Sequence, residues 1–262
     1  MLLKDKVVIV SGIGPGLGQA LSTLAAQEGA HVVVSARTPA KLDTAQAEIA
    51  ALGLGTQVLK MPCDIADTAQ CKALVDAALE RFGRVDCLIN SAYTAGKLTL
   101  MEDSDLADWR RTLDTNLFGS LGLCLAVFPA MKAQGKGAIV NVNTMVTRKP
   151  LPYQGGYAAS KAALAHASAQ LALEWGQYGI RVNSTFMGWM WGPSVAGYME
   201  GIAAGGGPSV EEQKAEVAKN IALRLIPPDR ECARSIIMLL SDYASMVTGA
   251  SLDINGGEFM PI

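Results

Sequence analysis

The sequence is short of histidine and of patterned cysteine. Two histidines, His31 and His166, accompany five cysteines, Cys63, Cys71, Cys87, Cys124 and Cys232, in 262 residues. The cysteines are odd in number, widely scattered and never spaced Cys-x-x-Cys. Such a set gives no disulfide framework, no metal site and no cysteine–histidine nucleophile. Free, buried thiols in a reducing cytoplasm are expected instead. Charge is also scarce: charged residues make up 18% of the chain and the net charge is -2. That balance argues against nucleic acid or an anionic membrane as a partner. The longest apolar run, around "LGLCLAVFPAM", falls short of the ~20 residues that span a bilayer. The chain enters an apolar run almost at once in "MLLKDKVVIV", so no secretion signal is expected.

What is abundant is apolar: half of the residues, a globular composition. Short β-branched runs at 7–10, 31–36, 56–61, 85–90, 138–143, 180–186 and 251–255 read as strands. Several are apolar at successive positions, as in a parallel sheet covered on both faces. Helical stretches lie between them, and three stop at Gly29, Gly83 and Gly135, glycines suited to the left-handed conformation after a helix. This alternation predicts an α/β chain, one domain over 1–262. Its core is a doubly wound parallel sheet of about seven strands with helices on both faces. The segment 189–219 lacks an expected strand and carries two tryptophans, two methionines and "GGG", which suggests a substrate-binding lid.

The first strand runs into "SGIGPGLGQA", with glycines at 12, 14, 16 and 18. Placed between a strand and a helix, these glycines allow a tight turn and close approach of backbone to a pyrophosphate. The helix N-terminus adds free N–H groups and a positive dipole end. The second strand ends at Ala36 and Arg37, where an NAD-selective site of the Rossmann fold would place an acid. An arginine pairs with a 2′-phosphate instead, so NADP(H) is favoured and NAD(H) stays open. Pro15 occupies a place where a second basic residue would strengthen that preference.

Downstream lies "NTMVTRKPLPYQGGYAASK", 143–161. Tyr157 and Lys161 are four apart and share a helix face. A tyrosine titrates near ~10, too high for easy proton exchange, and a neighbouring ammonium brings it down into a usable range.

With these motifs in place, the chain resembles a classical short-chain dehydrogenase/reductase over nearly its whole length. The resemblance rests on "SGIGPGLG", "CDIAD", "NSA", "DTNLFG", "IVNVNT", "YAASK", "GIRVNS" and "VTGASLDINGG" in order. It implies Tyr157 as acid/base, Lys161 lowering its pKa and bonding the nicotinamide ribose, and Asn116 at a helix irregularity holding a relay water. Gly12, Ile13, Gly16 and Gly18 would sit at the pyrophosphate, Asp64 and Ile65 at the adenine, and Asn90 with Ala92 at the adenosine ribose. Gly188 and the backbone of Met190 would meet the carboxamide end. The family serine falls on Thr144, which keeps the hydroxyl that stabilises developing charge on the substrate oxygen. Its added methyl restricts rotamers without removing the function.

Three positions depart from the family pattern. Tyr93 replaces a glycine at the coenzyme edge, Met187 replaces a proline, and Gly192 replaces a threonine. The expected pocket wall is apolar and aromatic: Tyr93, Met145, Tyr153, Trp189, Trp191 and Tyr198, joined by Met199. It suits a hydrophobic alcohol or ketone, alicyclic, steroid-like or acyl-derived. The resemblance also implies a homodimer or homotetramer. The expected activity is NAD(P)(H)-dependent interconversion of a secondary alcohol and a ketone. The alternative is a catalytically silent dinucleotide-binding regulator or scaffold. A methyltransferase on a related sheet would have no use for Tyr157 and Lys161.

Overall fold

In a computed structural model, which describes residues 1–261, seven strands form one fully parallel sheet. In chain order these are β1 (Val7–Ser11), β2 (His31–Ala36), β3 (Val58–Pro62), β4 (Cys87–Asn90), β5 (Gly137–Thr144), β6 (Ile180–Met187) and β7 (Ser251–Ile254). Their spatial order is β3-β2-β1-β4-β5-β6-β7, so the winding reverses between β1 and β4. A ligand crevice forms at such a reversal, beyond the carboxyl ends of the strands.

Alternation along β1 shows how one strand serves two cores. Val8 and Val10 face one cluster, with Leu21 and Ala25 of α1 (Leu17–Gln27) and Leu42 of α2 (Pro39–Ala51). Val7 and Ile9 face the other, with Leu74 of α3 (Thr68–Phe82). All four valine and isoleucine side chains are buried, so the strand reads as a continuous apolar run. The anticipated helix stops hold. Gly83 and Gly135 cap their helices in the left-handed conformation, and Gly29, at φ 89°, follows α1.

The long helix is continuous from α4 (Leu106–Leu113) through a π-helical turn at Asp114–Gly119 into α5 (Ser120–Gln134). By length and mean hydropathy, 29 residues and 1.3, it could cross a bilayer, which the shorter apolar run read from the sequence did not suggest. Here Leu123, Cys124, Val127 and Met131 are buried beneath the sheet. The next helix, α6 (Gly155–Trp175), carries Tyr157 and Lys161. Between β6 and β7 come α7 (Pro193–Ala204), α8 (Val210–Lys219) and α9 (Asp229–Leu240). The strandless segment 189–219 is thus mainly two helices around a glycine turn. All five cysteines are free and buried.

Candidate active site

A cleft of about 820 Å³ opens over the carboxyl ends of β1, β2, β4, β5 and β6. Its floor at one end is the glycine loop. A Cβ at Gly12 would lie 2.2 Å from the Ala92 backbone nitrogen, and one at Gly18 would lie 2.2 Å from the Gly12 carbonyl. Gly12 also has φ 97°, which other residues rarely adopt. Only glycine lets β1, the loop after β4 and the start of α1 approach this closely.

The other end holds Thr144, Tyr157 and Lys161. Thr144 closes β5, Tyr157 enters from the first turns of α6, and Lys161 lies one turn further on the same face. Burial raises the Tyr157 phenol well above its ordinary value, the nearby Tyr93 phenol adds to this, and the Thr144 hydroxyl offsets part of it. The Lys161 side chain is fully enclosed, and desolvation lowers it to about 7. Its Nζ donates to the Val142 carbonyl at 2.7 Å. The expected acidification of Tyr157 by Lys161 is therefore not the dominant effect in this geometry. Burial outweighs it, because the ammonium is directed to β5 and is itself destabilised by lost hydration.

Asn116 lies at the π-helical turn, the irregularity the motif implied. Its Nδ2 donates to the Thr94 carbonyl and to Ser160 Oγ, and its Oδ1 accepts from the Thr94 amide, at 2.8–2.9 Å. Its side chain does not line the cleft; it anchors the loop after β4 to α6. Asn90 also turns inward, donating to Ser120, Cys124 and Asn141 beneath the sheet. Asn90, expected at the adenosine ribose, does not line the cleft.

Gly12, Ile13, Gly16, Gly18, Arg37, Asp64, Ile65, Ala92, Gly188 and Met190 do line the cleft. On the substrate side so do Tyr93, Met145 and Trp189. Tyr153, Trp191 and Tyr198 do not. Tyr153 is exposed in a turn at φ 69°. Trp191 bonds across to Pro227 and Asp229, with the Lys214 ammonium 4.4 Å above its ring. Tyr198 packs on Trp189, ring centroids 6.4 Å apart. Trp191 and Tyr198 thus pack behind the wall beside Trp189, and Tyr153 stands apart from it.

The departures find physical explanations. The Tyr93 ring stands 5.8 Å from that of Tyr157 and is over half exposed, so it forms a rim above Tyr157. At Gly192 a Cβ would lie 2.8 Å from an Asp229 carboxylate oxygen. The space of the family threonine is occupied by an acid from the start of α9. Sequence reading missed Asp229, and also Lys41, Leu98, Leu151, Gln154 and Val195, all of which line the cleft. Nothing in local spacing marks them, since they arrive from several separate segments of the chain.

The cleft fits a nicotinamide dinucleotide. It offers the glycine cradle, the N-terminus of α1, the cations Arg37 and Lys41, and two buried polar atoms without partners, Ser11 Oγ and Asn143 Oδ1. Among the described residues no cluster of three or more His, Cys, Asp or Glu could hold a metal.

The parallel sheet and its cleft define a dinucleotide-dependent oxidoreductase scaffold. Comparison with known proteins sharpens this: the profile of the family described as enoyl-(acyl carrier protein) reductase matches residues 12–258. D-threitol dehydrogenase of Mycolicibacterium smegmatis is 36% identical over 256 residues, covering 97% of this chain and 93% of the relative. Trans-4-hydroxycyclohexanecarboxylate dehydrogenase of Sinomonas cyclohexanicum is 34% identical, with 97% and 93% covered. The structure of L-sorbose reductase from Gluconobacter frateurii, complexed with NADPH and L-sorbose, superposes with TM-score 0.94 at 26% identity, over the full length of both chains. This chain belongs to the short-chain dehydrogenase/reductase family and is an oxidoreductase of alcohols and ketones.

Proposed function

We propose that the protein interconverts a small, neutral secondary alcohol, alicyclic by preference, and its ketone, with NADP(H) as coenzyme. The single observation behind this is the joint placement of Thr144 and Tyr157 at the apolar end of the cleft, with Lys161 one turn along α6. Met145, Leu98, Leu151, Val195 and Trp189 surround that end, and Gln154 is the polar exception. The wall brings no arginine, so a carboxylate or phosphate on the substrate would lack a counter-charge. Relatives named for threitol, a hydroxycyclohexanecarboxylate and sorbose support a compact substrate over a steroid-like one, and the carboxylate of the second is a charge that this wall does not match.

When bound, a nicotinamide coenzyme supplies or accepts the hydride at the substrate carbon. The chain's own residues handle the oxygen and the proton. Thr144 donates a hydrogen bond to the substrate oxygen as charge grows on it. In the reductive direction Tyr157 gives its phenolic proton to that oxygen. In the oxidative direction it receives the alcohol proton. Its raised proton affinity keeps the phenol protonated at neutral pH, the form from which it can donate. Lys161 is held by the Val142 carbonyl and lies within the same buried pocket, where its charge stabilises a phenolate once formed. Asn116 keeps the Thr94 loop in place through its paired bonds. The helix α7 carries the cover of the substrate end, through Val195 and the packing of Trp189 on Tyr198.

The free, buried thiols support a reducing, cytoplasmic setting. Exposed Phe118, Leu125 and Leu173 on the long helix and α6 support assembly into a homodimer or homotetramer.

The test is Tyr157→Phe. Turnover of cyclohexanol and cyclohexanone should fall by roughly 10³-fold, within the range for a lost general acid–base. NADPH binding, read by fluorescence titration, should hold within about threefold. Full turnover in the variant would remove Tyr157 from the chemistry. Coenzyme binding with no turnover of any alcohol by the wild type would favour the silent dinucleotide-binding regulator.

A further inference from the structure

We infer that Arg148 and Lys149 are positioning residues for the substrate. By pairing with Asp253 and Glu258 they latch the strap 145–154, and the part of the wall it carries, to the end of β7. The inference rests on the alcohol/ketone reading of the cleft and assigns part of its substrate selectivity to residues outside it.

The strap runs from Thr144, which closes β5, to Gln154, just before α6. Its Met145, Val146, Leu151 and Gln154 line the cleft, whereas Arg148 and Lys149 do not. The first half is a short helical turn, closed where the Arg148 and Lys149 amides donate to the Met145 carbonyl at 2.9 Å. Beyond it the backbone support stops. Pro150 and Pro152 have no N–H to give, and the amides of Leu151 and Tyr153 donate to no backbone carbonyl. Tyr153 also adopts φ 69°, a conformation that sterics disfavour for so large a side chain. A segment of this kind keeps its place only if something outside it holds it.

Two ion pairs supply that hold, and both run to the same end of the sheet. Arg148 Nη1 donates to Asp253 Oδ2 on β7. Lys149 Nζ donates at 3.1 Å to Oε1 of Glu258, in the turn just after that strand. To reach Asp253 the guanidinium crosses β6, 3.7 Å from the centroid of the Phe186 ring. Phe186 is the register partner of Asp253, so cation, ring and carboxylate form one layer. These are not surface pairs: the Glu258 side chain is 6% exposed and that of Asp253 15%. Asp253 Oδ1 and Glu258 Oε2 are buried without a partner. Among the described residues each carboxylate therefore has the strap as its one cation. A buried carboxylate stripped of its cation is costly, so the two acids hold the strap down.

The consequence falls on substrate fit rather than on the proton transfer. Thr144 is fixed by β5 and Tyr157 by α6, whereas Leu151 has the strap alone. Releasing the latch lets that wall retreat while the reacting groups stay in place.

The decisive variant neutralises one pair completely. Arg148→Met with Asp253→Asn removes the latch without stranding a charge, so melting should stay within a few degrees of wild type. Its KM for cyclohexanone should rise roughly tenfold, with kcat within about threefold. A bulkier ketone, 2-decalone, should lose less, narrowing the preference for cyclohexanone by roughly fivefold. NADPH affinity, read by fluorescence titration, should not change. Arg148→Lys keeps the charge and should hold KM within about threefold of wild type. Hydrogen exchange reads the strap without turnover: peptide 145–154 should exchange faster in the double variant, and the glycine loop at the wild-type rate. An unchanged KM in the double variant would overturn the latch, and so would equal losses in kcat and NADPH affinity, which mark general loosening. A wild type that turns over no alcohol or ketone would overturn the reading of the cleft instead. Exchange in the strap would then still decide the latch, and unchanged rates would overturn it.

Discussion

The two ends of the cleft are built on different principles. At the coenzyme end the wall is mostly backbone, drawn from strand ends that share one hydrogen-bonded register: Ser11 stands beside Ser35 on one side and Asn90 on the other. At the substrate end the wall is side chains, brought by the loop after β4, the turn before α6 and the first residues of α7. The first is fixed by sheet geometry and tolerates no added atom at Gly12. The second depends on which side chains happen to converge, so it can vary in shape without disturbing the sheet. Coenzyme binding and substrate choice are thereby separable properties of one fold.

That contrast can be broken most severely at Gly12. Gly12→Ala places a methyl 2.2 Å from the Ala92 nitrogen at a positive φ. Stability should fall by about 2 kcal/mol or more and NADPH affinity by roughly a hundredfold. Thermal melting and fluorescence titration would read both, and a variant that melts and binds like wild type would show the loop to be pliable. A smaller effect is expected at the junction of the two ends. Thr144→Ala should lower kcat by roughly 100-fold. Thr144→Ser should stay within about threefold of wild type, since the hydroxyl is kept. A serine variant as poor as alanine would mean that the methyl of Thr144, not its hydroxyl, does the positioning.

The smallest effect concerns stability against pH. Burial holds Lys161 at about 7 in the native chain, against 10.5 when exposed. Between those values the native lysine is mostly neutral while the unfolded chain still binds the proton. Unfolding then takes up a proton, so stability rises with pH across the window and is lost again as pH falls toward 7. Lys161→Met removes this slope. The melting temperature of wild type relative to Lys161→Met should therefore climb by a few degrees between about pH 7 and about pH 9.5. A flat difference would mean that Lys161 remains charged throughout and that its carbonyl bond offsets its desolvation.

Much of this was legible in the sequence, for identifiable reasons. β1 and β2 read correctly because strands covered on both faces show uninterrupted apolar runs, and the stops at Gly83 and Gly135 because a left-handed cap favours one residue type. The pairing of Tyr157 with Lys161 followed from helix geometry alone. Asn90 and Asn116 were harder. Their positions beside the site were implied by motif, yet their side chains bond away from the cleft, to Asn141 and Thr94, partners 51 and 22 residues distant. The two helices within 189–219 escaped notice because α7 carries glycines within its span and little polar alternation.

By itself, then, the sequence determined what short-range physics controls: strands, helix ends, the glycine turn and the side chains one helical turn apart. Tertiary structure alone decided that Lys41 returns over Gly14, that Asp229 fills the space at Gly192, and that Tyr93 overhangs Tyr157. Each of those depends on where separate elements come to rest against one another. That is set by packing of the whole core around the sheet, and no periodicity within a single element encodes it.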